Sequence, residues 1–120
     1  MNKKVFGALG EELAYKYLSE NGIKIIKRNY ISKYGEIDLI GIEKETIIFI
    51  EVKLRNNISF GDPSEALDYK KINRIKKVAE FFLSENDYQD FDCRFDVIAL
   101  VKNRFDNGYC INWLKNQYFD

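Results

Sequence analysis

The chain of 120 residues contains no histidine, and this excludes several common kinds of catalytic site. Without imidazole there is no Ser-His-Asp or Cys-His nucleophilic catalysis, no histidine general base and no His-ligated zinc. The two cysteines, Cys93 and Cys110, form no CxxC pair, which excludes a thiolate zinc site as well. Any chemistry must therefore come from carboxylates, lysine, arginine, tyrosine, serine or the backbone.

Proline and long apolar runs are also scarce. Proline occurs once and glycine seven times, so there is little room for linkers, and we expect a single domain over residues 1–120. No run approaches the ~18 apolar residues of a membrane span, and we expect no membrane association. Glu11 and Glu12 interrupt the start of the chain before a signal-like apolar stretch can form. This favours a cytoplasmic protein, in which we expect Cys93 and Cys110 to be reduced and buried.

The chain has no excess of either charge, because 19 basic side chains balance 19 acidic ones. The charges are nevertheless unevenly spread: residues 1–34 carry seven basic and three acidic side chains, and residues 83–99 carry one and five. The zero total disfavours a strongly electrostatic, non-specific DNA binder, whereas the uneven distribution still permits a basic face for a polyanion.

Hydrophobic periodicity predicts an α/β fold in which helices pack on a mixed sheet. Helices are expected over residues 7–21 and 62–84, and the second begins with the capping signals Asp62 and Pro63. Four strands are expected over residues 23–31, 36–42, 47–54 and 94–102, and residues 109–114 could form a short fifth strand.

Two charged residues interrupt the otherwise apolar third strand. Because side chains alternate along a strand, Glu51 and Lys53 share one face. Taken alone, this pair is more typical of a salt bridge at the end of a strand than of a functional site.

The preceding strand changes that interpretation. It places Glu36 and Asp38 on one face and its apolar residues, Ile37 included, on the other. If a four-residue loop joins the two strands, Asp38 lies opposite Glu51 and Glu36 lies opposite Lys53.

Two opposed carboxylates favour a cation between them. Their Cβ atoms would lie within ~5.5 Å, and the charges repel unless a cation or proton joins them. Mg²⁺ (or Mn²⁺) is the expected occupant at Asp38 and Glu51, because it prefers hard oxygen ligands. A metal there would polarise a phosphoryl oxygen and lower the pKa of an attacking water, with Lys53 holding phosphate or orienting that water. The pattern therefore favours phosphodiester hydrolysis.

The spacing of Asp38, Glu51 and Lys53 resembles the PD-(D/E)xK nuclease motif, with Ile37 in the proline position. Longer segments resemble the YraN-like family of small bacterial proteins, which are similar to archaeal Holliday-junction resolvases. The matching segments are Gly10-Glu11, Arg28-Asn29-Tyr30, Gly35-Glu36-Ile37-Asp38-Leu39-Ile40, Phe49-Ile50-Glu51-Val52-Lys53, Arg55, Phe60-Gly61, Lys70 and Arg94-Phe95-Asp96-Val97-Ile98.

The resemblance implies a restriction-endonuclease-like fold with an α-β-β-β-α-β core. It implies Glu11, Asp38, Glu51 and Lys53 as catalytic residues, with Glu36 in a supporting position. It also implies DNA as the substrate, with branched DNA as a candidate, and a homodimer whose two-fold axis addresses paired strands.

The first helix supports Glu11 independently. Glu11 lies within about 20° of Leu18 on a helical wheel, at the border of the apolar face. Leu9 is expected on the same face. From that border Glu11 could reach over the sheet, although a carboxylate near a helix N-terminus is also favoured by the helix dipole.

The remaining candidates are nucleic-acid contacts. Lys70, Arg74 and Lys77 fall on one helix face, which is either solvated or in contact with phosphate. Phe60 follows the third strand and could stack on an unpaired base or pack against the second helix. Arg55 completes this set of candidate contacts.

Other interpretations of the chain remain open. Arg94 and Asp96 share a strand face, and we interpret them as a structural ion pair. The nuclease hypothesis has two rivals, a non-catalytic nucleic-acid-binding module with the same fold and a subunit active only with a partner.

Overall fold

The computed structural model describes the backbone of residues 3–55, 69–102 and 108–117, and their side chains apart from those of residues 3–8 and 55. Its elements are α1 (Lys3–Glu20), β1 (Lys24–Ser32), β2 (Gly35–Glu43), β3 (Thr46–Arg55), α2 (Tyr69–Glu85), β4 (Asp92–Lys102) and β5 (Tyr109–Leu114). This order contains the α-β-β-β-α-β core that the resemblance implies, followed by one further strand.

The five strands form one mixed sheet in the order β1-β2-β3-β4-β5. Neighbouring strands are antiparallel except for β3 and β4, which are parallel. A parallel pair needs a crossover connection, and α2 lies in the one between β3 and β4. The predicted α/β class with a mixed central sheet is therefore confirmed.

Strand β3 is the centre of the core because both of its faces are covered. Ile47 and Phe49 pack with residues of α2, whereas Ile48 and Ile50 pack with residues of α1, and all four are fully buried. This regular alternation places the odd-numbered residues of β3 on the α2 side of the sheet.

Helix α2 presents a continuous apolar stripe to the sheet. Its buried residues are Ile72, Ile75, Val78, Ala79 and Phe82. Their spacing of three and four is the one expected for a helix with one covered face. The predicted helix start at Asp62 lies outside the described residues.

Helix α1 differs from the prediction in two respects. It begins at Lys3, four residues earlier than expected, and Leu9 is 45% exposed instead of lying on the buried face. The residue turned towards the sheet is the next one, Gly10, where an added Cβ would lie 3.1 Å from a methyl carbon of Leu54. Because successive helical residues are rotated by ~100°, Leu9 is turned away from this contact.

The alternation along β2 breaks at Asp38. Ile37 packs in the cluster on the α2 side and Leu39 in the cluster on the α1 side, so the prediction that they share a face is wrong. The β1–β2 register continues on both sides of Asn29 and Asp38, and Asn29 has a left-handed backbone with φ of 53°. Such a local distortion lets the flanking side chains turn to opposite faces.

Both cysteines are exposed free thiols, which contradicts the prediction that they are buried. Cys93 is the second residue of β4, and Cys110 is the second residue of β5. Since β5 is an edge strand, no further described strand covers it. Within the described part of the chain, neither helix combines the length and apolarity that crossing a membrane requires.

Candidate active site

The β2–β3 pairing confirms the predicted register and also shows where it ends. The ladder runs from Glu43 opposite Thr46 to Leu39 opposite Ile50. Beyond that point, in the described residues of both strands, Asp38 has left the ladder. The predicted ladder pairs of Asp38 with Glu51 and of Glu36 with Lys53 are therefore wrong.

The side chain of Asp38 takes the place of the missing ladder bond. Its Oδ2 accepts a hydrogen bond from the backbone N–H of Val52 at 2.8 Å. This bond fixes the carboxylate beside the β3 segment that contains Glu51. Asp38 and Glu51 are thus brought to one site by a side-chain bond instead of by strand pairing.

Asp38 is held in an environment that disfavours its charge. Burial raises the pKa of its carboxyl from 3.8 to about 6, opposed by the Val52 hydrogen bond. The charges of Glu11, Glu51 and Glu36 raise the pKa further. Since a charge must be near to have this effect, α1, β2 and β3 each bring a carboxylate to Asp38. The roles assigned to Glu11, Glu36, Asp38 and Glu51 stay predictions.

Glu51 is the second carboxylate of the site, and its two oxygens differ. Oε1 lies 2.6 Å from Nζ of Lys71, which projects from the first turn of α2. Oε2 is buried and has no hydrogen-bond partner among the described protein atoms. One oxygen is therefore neutralised and the other is available to a ligand.

These residues line a cleft of about 510 Å³ between the sheet and α2. Its acidic wall consists of Glu36, Asp38 and Glu51, and its basic wall consists of Lys71 and Arg74. Opposed acidic and basic walls suit a ligand that is both anionic and accompanied by a cation.

Gly35 allows the basic wall to approach β2. Its φ of 141° is one that residues with a side chain rarely adopt. An added Cβ would lie 3.3 Å from Cγ of Arg74, so the arginine stem lies directly over the glycine. The glycine of the Gly35–Ile40 segment therefore has a packing role in the cleft.

Lys53 shares the α2 side of β3 with Glu51, as predicted from alternation. It lies opposite Ala99 of β4 and is partly buried. The described residues that line the cleft include Lys71 and Arg74 but not Lys53. Lys71 was missed as a site residue, because only Lys70, Arg74 and Lys77 were assigned to a common helix face.

The other candidate nucleic-acid contacts lie at different places. Arg74 lines the cleft, whereas Lys70 and Lys77 are exposed on α2. Phe60 and the side chain of Arg55 lie outside the described residues. The assignment of these five residues to nucleic-acid binding stays a prediction.

The donor set fits a divalent cation in part. Within the described ranges, no group of three or more Asp, Glu, Cys or His side chains is arranged to hold a metal ion. Asp38 and Glu51 do line the same cleft, however, and Glu51 has a buried oxygen with no partner in the described part of the chain. Mg²⁺ is commonly held by one or two protein carboxylates and completed by water and phosphate, so Asp38 and Glu51 are the residues that would hold it.

Asp96, an acidic residue that does not line the cleft, is fully buried and belongs to a structural cluster. It accepts bonds from Arg94 Nε at 3.1 and 3.2 Å and from Trp113 Nε1 at 2.8 Å. The backbone N–H of Asn116 completes its shell at 2.9 Å. Asp96 thereby anchors β5 and the following residues to β4, which agrees with the predicted ion pair.

Comparison with known proteins identifies relatives over most of the chain. The model of the uncharacterised protein family UPF0102 matches residues 10–100. A UPF0102 protein of Caldanaerobacter subterraneus subsp. tengcongensis is 43% identical over 103 residues, which is 86% of this chain and 84% of the relative. A UPF0102 protein of Alkaliphilus oremlandii is also 43% identical, over 98% of this chain and 100% of the relative.

One solved structure is also similar. The crystal structure of a repair endonuclease from Pyrococcus abyssi matches with a TM-score of 0.48 and 20% sequence identity. The match covers 82% of this chain, and the chain spans 38% of the length of that endonuclease.

Proposed function

This chain belongs to the uncharacterised protein family UPF0102, which confirms the resemblance to the YraN-like proteins, and we propose that it is a metal-dependent endonuclease that hydrolyses DNA phosphodiester bonds. The observation that carries the proposal is the meeting of Asp38 and Glu51 in one cleft, where Glu51 keeps a buried oxygen that no described residue bonds. Carboxylates gathered in this way have no use in a protein that only binds phosphate, because they repel it.

Asp38 and Glu51 would hold Mg²⁺ or Mn²⁺. When bound, the metal supplies a Lewis acid for the phosphoryl oxygen and a water of lowered pKa. The Val52 hydrogen bond keeps Asp38 in place without using both of its oxygens. Glu11 and Glu36 add negative charge around Asp38 and thereby increase the affinity of the site for a cation.

The cationic side chains bind and orient the substrate. Arg74 presents a planar guanidinium suited to a phosphate, and Lys71 presents a point charge on the same wall of the cleft. Lys53 offsets the negative charge that develops on the phosphoryl group as water attacks. Hydrolysis would leave a 5′-phosphate and a 3′-hydroxyl, as in the enzymes that the sequence resembles.

Branched DNA and a homodimer are the finer parts of the proposal. Both derive from the resemblance to resolvases, since a two-fold dimer presents two such clefts to paired strands. Sedimentation with and without four-way DNA tests the dimer, and a monomeric mass in both samples would remove it.

The proposed reaction is tested with purified protein and labelled linear, flapped and four-way DNA. We expect cleavage of at least one structure with Mg²⁺ or Mn²⁺ and none with chelator. Asp38→Asn combined with Glu51→Gln should abolish cleavage. Glu20→Gln combined with Glu45→Gln removes two exposed carboxylates elsewhere and should retain it. Equal cleavage by both double variants would contradict the proposal.

One observation favours a second candidate, a non-catalytic nucleic-acid-binding module. Lys71 already neutralises one oxygen of Glu51, as in a structural ion pair. This function predicts DNA binding that chelator leaves unchanged, together with no cleavage of any structure.

A further inference from the structure

The ammonium group of Lys71 is a cation that already contacts the acidic site, through Glu51. Lys71 Nζ lies 2.6 Å from Glu51 Oε1, within the cleft that Asp38 also lines. The side chains are 34% and 22% exposed, so water reaches the ammonium group. The pair is therefore partly screened, and it is weak enough to exchange for other partners.

The other oxygen of Glu51 makes this contact more than a salt bridge. Oε2 is buried and has no partner among the described residues, although a buried carboxylate oxygen normally has one. A divalent cation at Oε2 would bind the same carboxylate as the ammonium group and would be repelled by it. Lys71 and a metal ion are therefore competitors for Glu51.

A phosphate in the cleft offers Lys71 a second anion. The lysine side chain is flexible and its three N–H donors rotate freely, so it can change partners without moving α2. Arg74, one helical turn further along, lines the same cleft and gives the phosphate a second basic contact.

We propose that Lys71 is the counter-ion of Glu51 in the free protein and transfers to a substrate phosphate when a divalent cation binds, which couples the binding of cation and phosphate. The inference rests on the proposed function in placing both ligands in this cleft. Coupling of this kind is reciprocal, so each ligand raises the affinity for the other by the same factor. Lys71 would thereby keep the cation weakly bound until substrate arrives.

Calorimetric titration with Mn²⁺ alone tests the competition. Lys71→Gln should bind Mn²⁺ about fivefold more tightly than wild type, a factor in keeping with the strength of a partly exposed ion pair. Lys71→Arg should restore the wild-type affinity, because a guanidinium can also neutralise Glu51. Lys24→Gln, an exposed change at the far end of β1, is the matched control and should change nothing.

A second titration tests the transfer on the wild-type protein itself. A fixed excess of dimethyl phosphate, a simple phosphodiester, should raise the Mn²⁺ affinity of wild type several-fold and that of Lys71→Gln much less. Equal Mn²⁺ affinity in wild type and Lys71→Gln would overturn the competition. Absence of coupling in wild type would overturn the transfer even if the variant failed to fold.

These results separate the inference from the proposed function. Coupled binding of Mn²⁺ and phosphodiester without cleavage of any DNA would remove the hydrolysis and keep the role of Lys71. Metal-dependent cleavage with an unchanged Mn²⁺ affinity in Lys71→Gln would keep the hydrolysis and remove the proposed role of Lys71.

Discussion

The carboxylate of Asp38 accepts the backbone N–H of Val52 across the junction of β2 and β3, at 2.8 Å. This bond lies directly beyond the last paired residues of the two strands. A side chain thus satisfies a backbone donor that the separating strands would otherwise leave unpaired. The same bond sets Asp38 beside Glu51, so the acidic site forms at the place where the two strands separate.

Ionised Asp38 should destabilise the folded protein. Its pKa is raised from 3.8 in the unfolded chain to about 6, so between these values the folded state binds a proton that the unfolded state has released. The free energy of unfolding therefore falls as pH rises through this window, by up to about 3 kcal/mol from this residue.

Asp38→Asn removes that pH dependence and still offers an oxygen to Val52. We expect urea unfolding to show the variant ~1–3 kcal/mol more stable than wild type at about pH 8 and close to it at about pH 4. Glu45→Gln, an exposed change, should give the same small offset at every pH. A stability difference between Asp38→Asn and wild type that stayed constant across this range would contradict the prediction.

Lys53→Ala should separate catalysis from binding. Loss of its charge should reduce cleavage by roughly 10²–10³, because the charge acts on the transition state. DNA binding should weaken by about one phosphate contact, which is read as a decrease of about one in the salt-dependence slope.

Lys70→Ala should behave in the opposite sense, with weaker binding and near-normal turnover at saturating DNA, because Lys70 is exposed on α2. Single-turnover cleavage and salt-dependent binding are measured for both variants. If Lys53→Ala changed only the salt slope, the catalytic role of Lys53 would be refuted and the binding-module function favoured.

Gly35→Ala should lower the free energy of unfolding by more than the backbone strain alone. The new Cβ would meet the Arg74 stem at 3.3 Å in addition to the strain of a φ of 141°. We expect a loss of about 2 kcal/mol, including ~1 kcal/mol from the backbone. Gly22→Ala, with φ of 91° and no described atom within 4 Å, has only the backbone cost.

Combining each glycine change with Arg74→Ala isolates the steric part. The cost of Gly35→Ala should shrink when the stem is removed, whereas the cost of Gly22→Ala should stay the same. Urea unfolding of the three single and two double variants measures both couplings. Additive effects for Gly35 and Arg74 would show that contact with the Arg74 stem contributes nothing to the cost of Gly35→Ala.

Asp96→Ala should destabilise the fold without affecting the cleft. Removal of the carboxylate leaves Arg94, whose side chain is 21% exposed, without its buried partner. It also removes the hydrogen bonds that Trp113 and Asn116 donate to Asp96. A loss of about 3 kcal/mol or more is expected, as for other broken buried ion pairs. Mn²⁺ affinity measured below the unfolding temperature should match that of wild type, and a lower affinity would mean that Asp96 contributes to the site.

Local patterns in the sequence were sufficient for most of the fold. Strand alternation correctly placed Glu51 and Lys53 on one face, and hydrophobic periodicity predicted the helices and strands in their observed order. The loop length between β2 and β3 predicted their register as far as Leu39. These features depend on residues close in sequence, where the periods of helix and strand are fixed by backbone geometry.

Tertiary structure alone decided the detailed arrangement of the site. Asp38 leaves the β2–β3 ladder, and Ile37 and Leu39 on either side of it pack on opposite faces of the sheet. The packing of α2 on the sheet brings Lys71 to Glu51. A helical wheel describes the faces of one helix but carries no information about which face meets a given strand, because that depends on packing between residues far apart in the chain.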